Sequence, residues 1–396
     1  MTTPAEAVGL EAQIRELPKV SLHDHLDGSL RPATLIELAA QIGHELPSTD
    51  PDELQAIFRA NADSGDLVKY LEAFAHTTAV MQSAENLRRI AREYVEDLAA
   101  DGVIYSEVRW APEQHLAGGL TLDETVEAVQ AGLDEGVDAV AADEGIIVVG
   151  QLVSAMRQAD RAEEIVDLAL RHRDHGVVGF DIAGPEAGFP PSKFASAFTR
   201  LAEQMLPATV HAGEGDGIES IRGALVDGRA RRLGHGVRVA EDITLVEDDE
   251  ETRLSRETTD GEDTESSEAI EGSQSSWLCE LGPVARWVRD RQIHLEASPT
   301  SNLQTGTVAA LTGEPTAELA QHPFDMLYQL GFNIGVNTDN RLVSGVTLTG
   351  ELARLAEAFD YGLAELADLQ VNAIESSFLG YEEQEALSAH ILEAWQ

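Results

Sequence analysis

Short apolar segments alternate with longer amphipathic segments along most of this chain. The short segments span four to nine residues and are rich in β-branched side chains, which is typical of buried strands. The longer ones, such as Ala84–Asp101 and Leu122–Ala141, carry apolar residues at helical spacing. The predicted strands are Val20–His25, Val103–Arg109, Gly145–Val153, Val177–Ile182, Ala208–His211, Arg232–His235, Ile293–Ala297 and Asn333–Asn337.

Eight strands that alternate with helices predict an α/β fold made of parallel β/α units, and this number fits a closed TIM-type (β/α)8 barrel. The length of 396 residues falls within the range of one such barrel with insertions, so we expect a single domain over residues 1–396. Active sites of this fold lie at the C-terminal ends of the strands. Polar residues at those ends are therefore the first candidates for chemistry.

Residues 247–276 interrupt the alternation. They include twelve acidic residues, two arginines and no aromatic residue. A segment of this composition buries too little apolar surface to offset the entropy lost on ordering. We predict an acidic surface insertion here, disordered or loosely held, and favour a solvated loop over a regulatory or interaction role.

The composition narrows the class of protein further. The single cysteine, Cys279, excludes an intramolecular disulfide and a cysteine-based zinc cluster. No apolar run approaches the ~20 residues of a membrane span, and the N-terminal residues do not read as a signal peptide. We therefore expect a soluble, cytoplasmic protein with no membrane partner.

The charge is strongly one-sided, with 71 acidic and 27 basic residues and a formal net charge of −44. Such self-repulsion destabilises a compact state in dilute buffer, whereas about 1 M salt shortens the Debye length to roughly 3 Å. We interpret the charge as a halophilic adaptation, with an ordinary acidic protein as the alternative. Nucleic acid is not an expected partner, because its phosphates would be repelled.

The first predicted strand ends in the sequence His23-Asp24-His25. Residues two apart on a strand point to the same face, so both imidazoles can project into the barrel and bind one ion. An isolated H-x-H is more often a pair of surface or core histidines. Its position at the end of the first barrel strand raises the probability of a metal site.

Three further strand ends supply matching groups: His211 with Glu214, then His235, then Asp339 with Asn340. Catalytic zinc usually has about three nitrogen or oxygen ligands from the protein and an open position for water. Three histidines, one aspartate and a water would satisfy that need. Because these groups recur at the ends of strands one, five, six and eight, we favour a metal site over structural histidines.

The sequence also resembles a known family. The segments HDHLDGS, GFDIAGPE, HAGE, RLGHG, SPTSNLQTG and NTDN are similar, in this order, to the motifs of the adenosine deaminase family, from Lys19 onward. The resemblance implies a barrel of the amidohydrolase kind with one zinc ion per subunit, held by His23, His25, His211 and Asp339. It also implies hydrolysis of adenosine or deoxyadenosine to inosine or deoxyinosine and ammonia, as in purine salvage and nucleotide metabolism.

The same resemblance implies roles for the residues around the metal. Glu214 would transfer a proton to purine N1, and His235 would orient the attacking hydroxide. The Gly184 backbone N–H would bind purine N3, Asp27 the ribose 5′-hydroxyl, and His25 would also adjoin the substrate. The alternatives are a helix N-cap for Glu214, a core histidine for His235 and helix capping for Asp27.

One position departs from most of the family, in which a second aspartate follows the metal ligand. Here that residue is Asn340, whose amide donates a hydrogen bond at every pH and so remains compatible with purine N7, an acceptor. Asp181 resembles a residue that supports the site from the end of the fourth strand. Binuclear amidohydrolases bridge their two metals with a modified lysine at the end of the fourth strand. No lysine ends that strand here, since Lys193 lies well past the turn, and we therefore expect one metal rather than two.

The segment Phe58–Phe74 resembles a lid over the substrate pocket, with Leu67, Val68 and Leu71 as candidate apolar contacts. Ordinary helix packing is the alternative for these three residues.

Two other functions remain open from the sequence. A relative acting on adenine or another 6-aminopurine is the first, and Asp27 argues for the nucleoside because adenine-specific relatives tend to carry glutamate there. The second is a binding or signalling protein that has lost catalysis, which the intact set of candidate ligands disfavours. The expected partner is a small purine nucleoside, and no protein partner is evident.

The charge leads to a test of stability against salt. We expect the free energy of unfolding to rise markedly between dilute buffer and molar KCl, because repulsion among exposed carboxylates is screened. Urea denaturation at increasing KCl concentration measures it. Equal stability in dilute buffer would refute the halophilic interpretation.

Overall fold

The computed structural model describes residues 4–64, 67–246, 268–271 and 276–396. Within them the strands are β1 (Lys19–His25), β2 (Val103–Trp110), β3 (Val148–Met156), β4 (Val177–Ala183), β5 (Thr209–Ala212), β6 (Arg232–His235), β7 (Ile243–Val246), β8 (Glu268–Glu271), β9 (Ser276–Leu281), β10 (His294–Ala297) and β11 (Ile334–Val336). All eight predicted strands are present. The largest shift is in β3, which begins and ends three residues later than predicted.

The eight predicted strands close into a parallel barrel. One sheet has the order β1-β2-β3-β4 and a second the order β11-β10-β6-β5, and every pairing within them is parallel. Bridges between Phe180 and Ala208 and between Asp24 and Asp339 join the two sheets on both sides. The predicted (β/α)8 barrel is therefore confirmed.

The helices surround this barrel and cover its ends. They are α1 (Pro4–Glu16), α2 (Pro32–Ile42), α3 (Pro51–Ala62), α4 (Leu67–Val80), α5 (Ala84–Ala100), α6 (Leu122–Ala142), α7 (Ala162–His172), α8 (Ala195–Glu203), α9 (Ile218–Val226), α10 (Pro283–Asp290), α11 (Pro299–Gln304), α12 (Thr307–Thr312), α13 (Phe324–Gln329), α14 (Arg341–Ser344), α15 (Leu348–Phe359), α16 (Leu363–Glu375) and α17 (Tyr381–Ala394).

Local sequence explains where the two long helices begin. The Ser83 hydroxyl accepts from the backbone N–H of Asn86 at the start of α5. Thr121 and Glu124 form a capping box at the start of α6, which satisfies two otherwise unpaired N–H groups. Both helices match the predicted amphipathic segments. None of the helices in the described residues has the length and hydropathy needed to cross a bilayer.

The acidic segment 247–276 lies mostly outside the described residues, so its disorder stays a prediction. Its described portion includes β8, which pairs antiparallel with β9, and β9 in turn pairs with β7. The described strands β7, β8 and β9 thus form a small antiparallel sheet between β6 and α10 in the sequence. The barrel strands that carry the candidate site are not interrupted.

Charged side chains fill part of the barrel interior. Arg109, Arg232, Glu107 and Glu296 are all 1% exposed or less. Arg109 binds Glu296 at 2.6 Å, Arg232 Nε binds the other Glu296 oxygen at 2.7 Å, and Arg232 also pairs with Glu107. Burial alone would raise the pKa of Glu296, but the two guanidinium groups hold it well below its usual value.

We expect Arg232→Met to lower the free energy of unfolding by about 3–5 kcal/mol, because it leaves buried carboxylates without their partner. The substitution also removes the guanidinium group from the Phe378 ring, whose centre lies 3.6 Å from Arg232 Cζ. Arg171→Met, which breaks an exposed pair with Asp123, is the matched control and should cost under about 1 kcal/mol. Denaturation of both variants in molar KCl measures the difference, and equal losses would contradict the expectation.

Candidate active site

Two histidines of β1 face Asp339, which follows β11. Val20 and Leu22 are buried apolar residues that alternate with His23 and His25 along β1, so the two imidazoles share one face of the strand. Asp339 Oδ1 lies 3.3 Å from His23 Nε2 and 3.4 Å from His25 Nε2. The structure thus brings together three of the four predicted metal ligands, which also lie within 4.8 Å of one another as possible donors.

His211, at the end of β5, completes the predicted set. Its Nε2 lies 3.2 Å from His25 Nε2, and its Nδ1 lies 2.7 Å from an oxygen of the buried Asp181. Burial lowers the pKa of His211, but the carboxylate of Asp181 more than offsets this and raises it overall. The supporting position predicted for Asp181 therefore matches its contact.

The donor set fits a divalent metal ion. Burial lowers the pKa of His23 to about 4 and that of His25 well below its usual value, which leaves both imidazoles neutral with a lone pair available. His23 Nδ1 lies 3.1 Å from Glu296, whereas its buried Nε2 has no hydrogen-bond partner among the described residues. Three imidazole nitrogens and one carboxylate oxygen around one point are typical zinc ligands.

Backbone conformations that non-glycine residues rarely adopt occur at two site residues. Asp339 has φ of 60° and His235 has φ of 62°. A non-glycine residue in this left-handed region raises the free energy of the folded state, and such residues cluster at functional sites. Asp339 is also fixed by the Ser301 hydroxyl, which donates to its Oδ2 at 2.6 Å. Both side chains lie among the other candidate donors at this end of the barrel.

Glu214 and His235 lie together beside the candidate ligands. Glu214 Oε2 is 3.6 Å from His235 Nε2, and the Glu214 side chain remains 25% exposed. Burial raises the pKa of Glu214, as do the nearby charges of Asp339 and Glu186. His235 is also within reach of a metal, since it groups with His23 and His211 as possible donors.

The loop that carries Glu214 is held by a buried carboxylate, Glu186. Its two oxygens accept hydrogen bonds from four consecutive backbone N–H groups at 2.7–3.1 Å, those of Gly213, Glu214, Gly215 and Asp216. Glu186 lies two residues after Gly184, the predicted N3 contact. It therefore fixes the β5 loop against the turn that follows β4.

The other predicted substrate contacts lie on the same end of the barrel. Asp27 is 6% exposed, and burial raises its pKa to about 6. Its Oδ1 lies 4.0 Å from His25 Nδ1 and has no hydrogen-bond partner among the described residues. Gly184 has φ of 92°, a left-handed backbone conformation that favours glycine.

Asn340 contacts a residue that sequence reasoning missed. Its Nδ2 donates to the hydroxyl of Tyr70 at 2.9 Å, and its buried Oδ1 has no partner among the described residues. Tyr70 is itself buried and belongs to α4, within the predicted lid segment. The side chains of Leu67, Val68 and Leu71 lie outside the described part of the structure, so their predicted contacts stay predictions.

Several further site residues were not predicted, namely Glu186, Glu296, Asn302 and His322. Glu186 and Asn302 lie inside the quoted motifs GFDIAGPE and SPTSNLQTG, and Glu296 is a charge within an apolar strand, so these signals were available. His322 had none. Lys193, discounted as a second-metal ligand, packs its Nζ 4.5 Å from the centre of the Phe189 ring.

Comparison with known proteins places these features in a family. The family model described as adenosine deaminase matches residues 18–394. An adenosine deaminase from Mycobacterium sp. (strain JLS) is 47% identical over 98% of this chain and 96% of its own length. The solved adenine deaminase from Arthrobacter aurescens has a TM-score of 0.74 at 26% identity, covering 95% of this chain and 98% of that one.

A second solved structure shows likeness of fold alone. An amidohydrolase from Burkholderia ambifaria with bound zinc superimposes with a TM-score of 0.75 at 22% identity, over 100% of this chain and 94% of that one.

The contacts of Glu186 lead to a prediction. We expect Glu186→Gln to lower kcat/KM about 10- to 100-fold, because an amide cannot accept from all four N–H groups and misplacement of a reacting group by ~1 Å costs that much. Steady-state kinetics measures the loss.

Asp242→Asn is the matched control, because Asp242 accepts from the N–H groups of Val284 and Ala285 at the start of α10, away from the site. It should leave kcat/KM within twofold. Equal kinetics of the two variants would show that Glu186 does not position Glu214.

Proposed function

This chain belongs to the adenosine deaminase family and deaminates adenosine, and we propose that it does so with one divalent metal ion held by His23, His25, His211 and Asp339. The observation that carries the proposal is the convergence of these donors with Glu214 at one end of the barrel. We further propose that the ion is zinc, one per subunit, and that the reaction serves purine salvage in a salt-rich cytoplasm.

His23, His25, His211 and Asp339 would hold a metal ion whose chemistry provides the nucleophile. An ion of this kind, when bound, lowers the pKa of water from 15.7 towards ~7 and so makes hydroxide available near neutral pH. The chemistry of the donor set suits zinc, although other first-row divalent ions accept the same ligands.

Glu214 is proposed as the proton donor to purine N1. Its raised pKa favours a protonated carboxyl, which can donate to N1 and make the adjacent C6 electrophilic. Hydroxide adds to C6, the bond from C6 to the amino nitrogen breaks, and the nitrogen leaves as ammonia after it takes up a proton. That proton comes from the hydroxyl group formed at C6, which becomes a carbonyl. Glu214 can carry it because its carboxylate is a base once N1 has been protonated.

The remaining contacts select a purine nucleoside. Asp27 offers an unpaired buried oxygen to the ribose 5′-hydroxyl, next to His25. Gly184 offers its N–H to N3. The Asn340 amide can turn over so that Tyr70 donates to Oδ1, which leaves Nδ2 free to donate to N7.

Deamination of free adenine or another 6-aminopurine is the alternative. The likeness to the Arthrobacter adenine deaminase keeps it open, since the purine contacts would be shared. Asp27 favours the nucleoside, because a buried carboxylate oxygen without a partner needs a donor and free adenine has no 5′-hydroxyl.

We expect Glu214→Gln to lower kcat for adenosine at least ~100-fold while metal content stays at one ion per chain, because the amide preserves shape but supplies no acidic proton. Ultraviolet assay in molar KCl and metal analysis of the same sample measure both quantities. Asp216→Asn, an exposed carboxyl on the same loop, is the control and should remain active.

The wild-type protein assayed on adenosine, deoxyadenosine and adenine in the same experiment separates the two substrate classes. Full activity of Glu214→Gln would refute the proton-transfer role. Faster turnover of adenine than of adenosine would replace the proposed substrate by the alternative.

A further inference from the structure

We infer that Asn302 and His322 hold His235 as the neutral tautomer with its hydrogen on Nε2, so that His235 donates a hydrogen bond into the site and is not a metal ligand. The inference rests on the proposed function and adds to it the role that the family resemblance implies for His235, which is to orient the attacking hydroxide. Neither Asn302 nor His322 touches the reacting atoms, and both are positioning residues.

The argument starts from a donor whose direction is fixed. The backbone N–H of Phe324 donates to His322 Nδ1 at 3.0 Å, and a backbone N–H can only donate. His322 is 3% exposed, and burial lowers its pKa to about 3, which keeps the imidazole neutral. Since Nδ1 accepts, the single ring hydrogen of His322 must lie on Nε2.

The second step fixes the amide of Asn302. His322 Nε2 lies 3.2 Å from Asn302 Oδ1, so its N–H donates to that oxygen. The other end of the amide is then Nδ2, which lies 3.0 Å from His235 Nδ1. Amide orientation is usually ambiguous, but here it is set by the histidine behind it.

The third step fixes His235. Because Asn302 Nδ2 can only donate, His235 Nδ1 accepts, and the hydrogen of the neutral ring lies on Nε2. His235 Nε2, which carries this hydrogen, lies 3.6 Å from Glu214 Oε2. Asn302 and His235 are 0% and 1% exposed, so bulk water does not replace these contacts.

The contrast with the candidate ligands supports the assignment. His23 and His211 each have a carboxylate at Nδ1, from Glu296 and Asp181, which favours the hydrogen on Nδ1 and a lone pair on Nε2 for a metal. His235 has an amide donor in that position and therefore the opposite tautomer. Proximity alone does not make this distinction, since His23, His211 and His235 lie equally within ligand distance of one another.

The direct test is the tautomer of His235 in the metal-loaded wild-type protein. Long-range proton–nitrogen NMR correlation of histidine labelled with ¹⁵N distinguishes protonated, unprotonated and metal-bound ring nitrogens, and loss of a signal in His235→Gln assigns it. We expect a protonated Nε2 and an unprotonated Nδ1. A hydrogen on Nδ1, or a metal-bound Nε2, would overturn the inference.

A kinetic test reverses the hydrogen bond. Asn302→Asp presents a carboxylate to His235 Nδ1, which favours a hydrogen there, and we expect kcat to fall at least tenfold with KM within threefold and metal content unchanged. Asn333→Asp is the control. It makes the same substitution beside the buried His294, at the end of β10 that is away from the site, and it should leave kcat within twofold.

A kcat of Asn302→Asp within twofold of wild type would also overturn the inference. If that variant does not fold, the wild-type spectrum still decides. Full activity of His235→Gln would instead refute the role of His235 in the proposed function, so the two failures are distinguishable.

Discussion

The site depends on one buried carboxylate, Glu296, in the middle of the barrel. One of its oxygens accepts from Arg109 at 2.6 Å and lies 3.1 Å from His23 Nδ1; the other accepts from Arg232 at 2.7 Å and from the Thr209 hydroxyl at 2.9 Å. A carboxylate in this interior is tolerated only because it is paired and hydrogen-bonded. The buried ion pairs inside the barrel therefore also fix the orientation of His23, the first candidate ligand.

The residue that contacts Nδ1 of His23, His211 or His235 determines whether that histidine offers a lone pair or a hydrogen at Nε2. Carboxylate oxygens of Glu296 and Asp181 lie beside Nδ1 of His23 and His211, which favours lone pairs on their Nε2 atoms. Asn302 instead donates to Nδ1 of His235 and leaves an N–H at its Nε2. Three histidines can thus provide two ligands and a hydrogen-bond donor within a few ångströms. The distinction lies in residues that do not face the open site at all.

This explains how much could be predicted from the sequence. The strands follow from local periodicity, and the ligand set follows because strand ends meet at one face of a barrel whatever the packing details. The contacts of Asn302, His322 and Glu186 join residues that lie 20–67 positions apart in the sequence, and no local pattern encodes them. Tyr70 was missed for the same reason, since its contact with Asn340 spans 270 positions.

Net charge and site electrostatics are separate properties of this chain. Of the few basic residues, Arg109, Arg157 and Arg232 are fully buried, where they bind carboxylates or carbonyl oxygens, while the excess of acidic residues leaves a strongly negative charge overall. Salt screens exposed charges but acts much less on buried pairs. Changes in ionic strength should therefore act on the compactness of the molecule and leave the local fields around Glu214 and His235 largely intact. A strongly acidic surface and a site that depends on buried ion pairs are thus compatible in one barrel, because solvent ions reach only the surface.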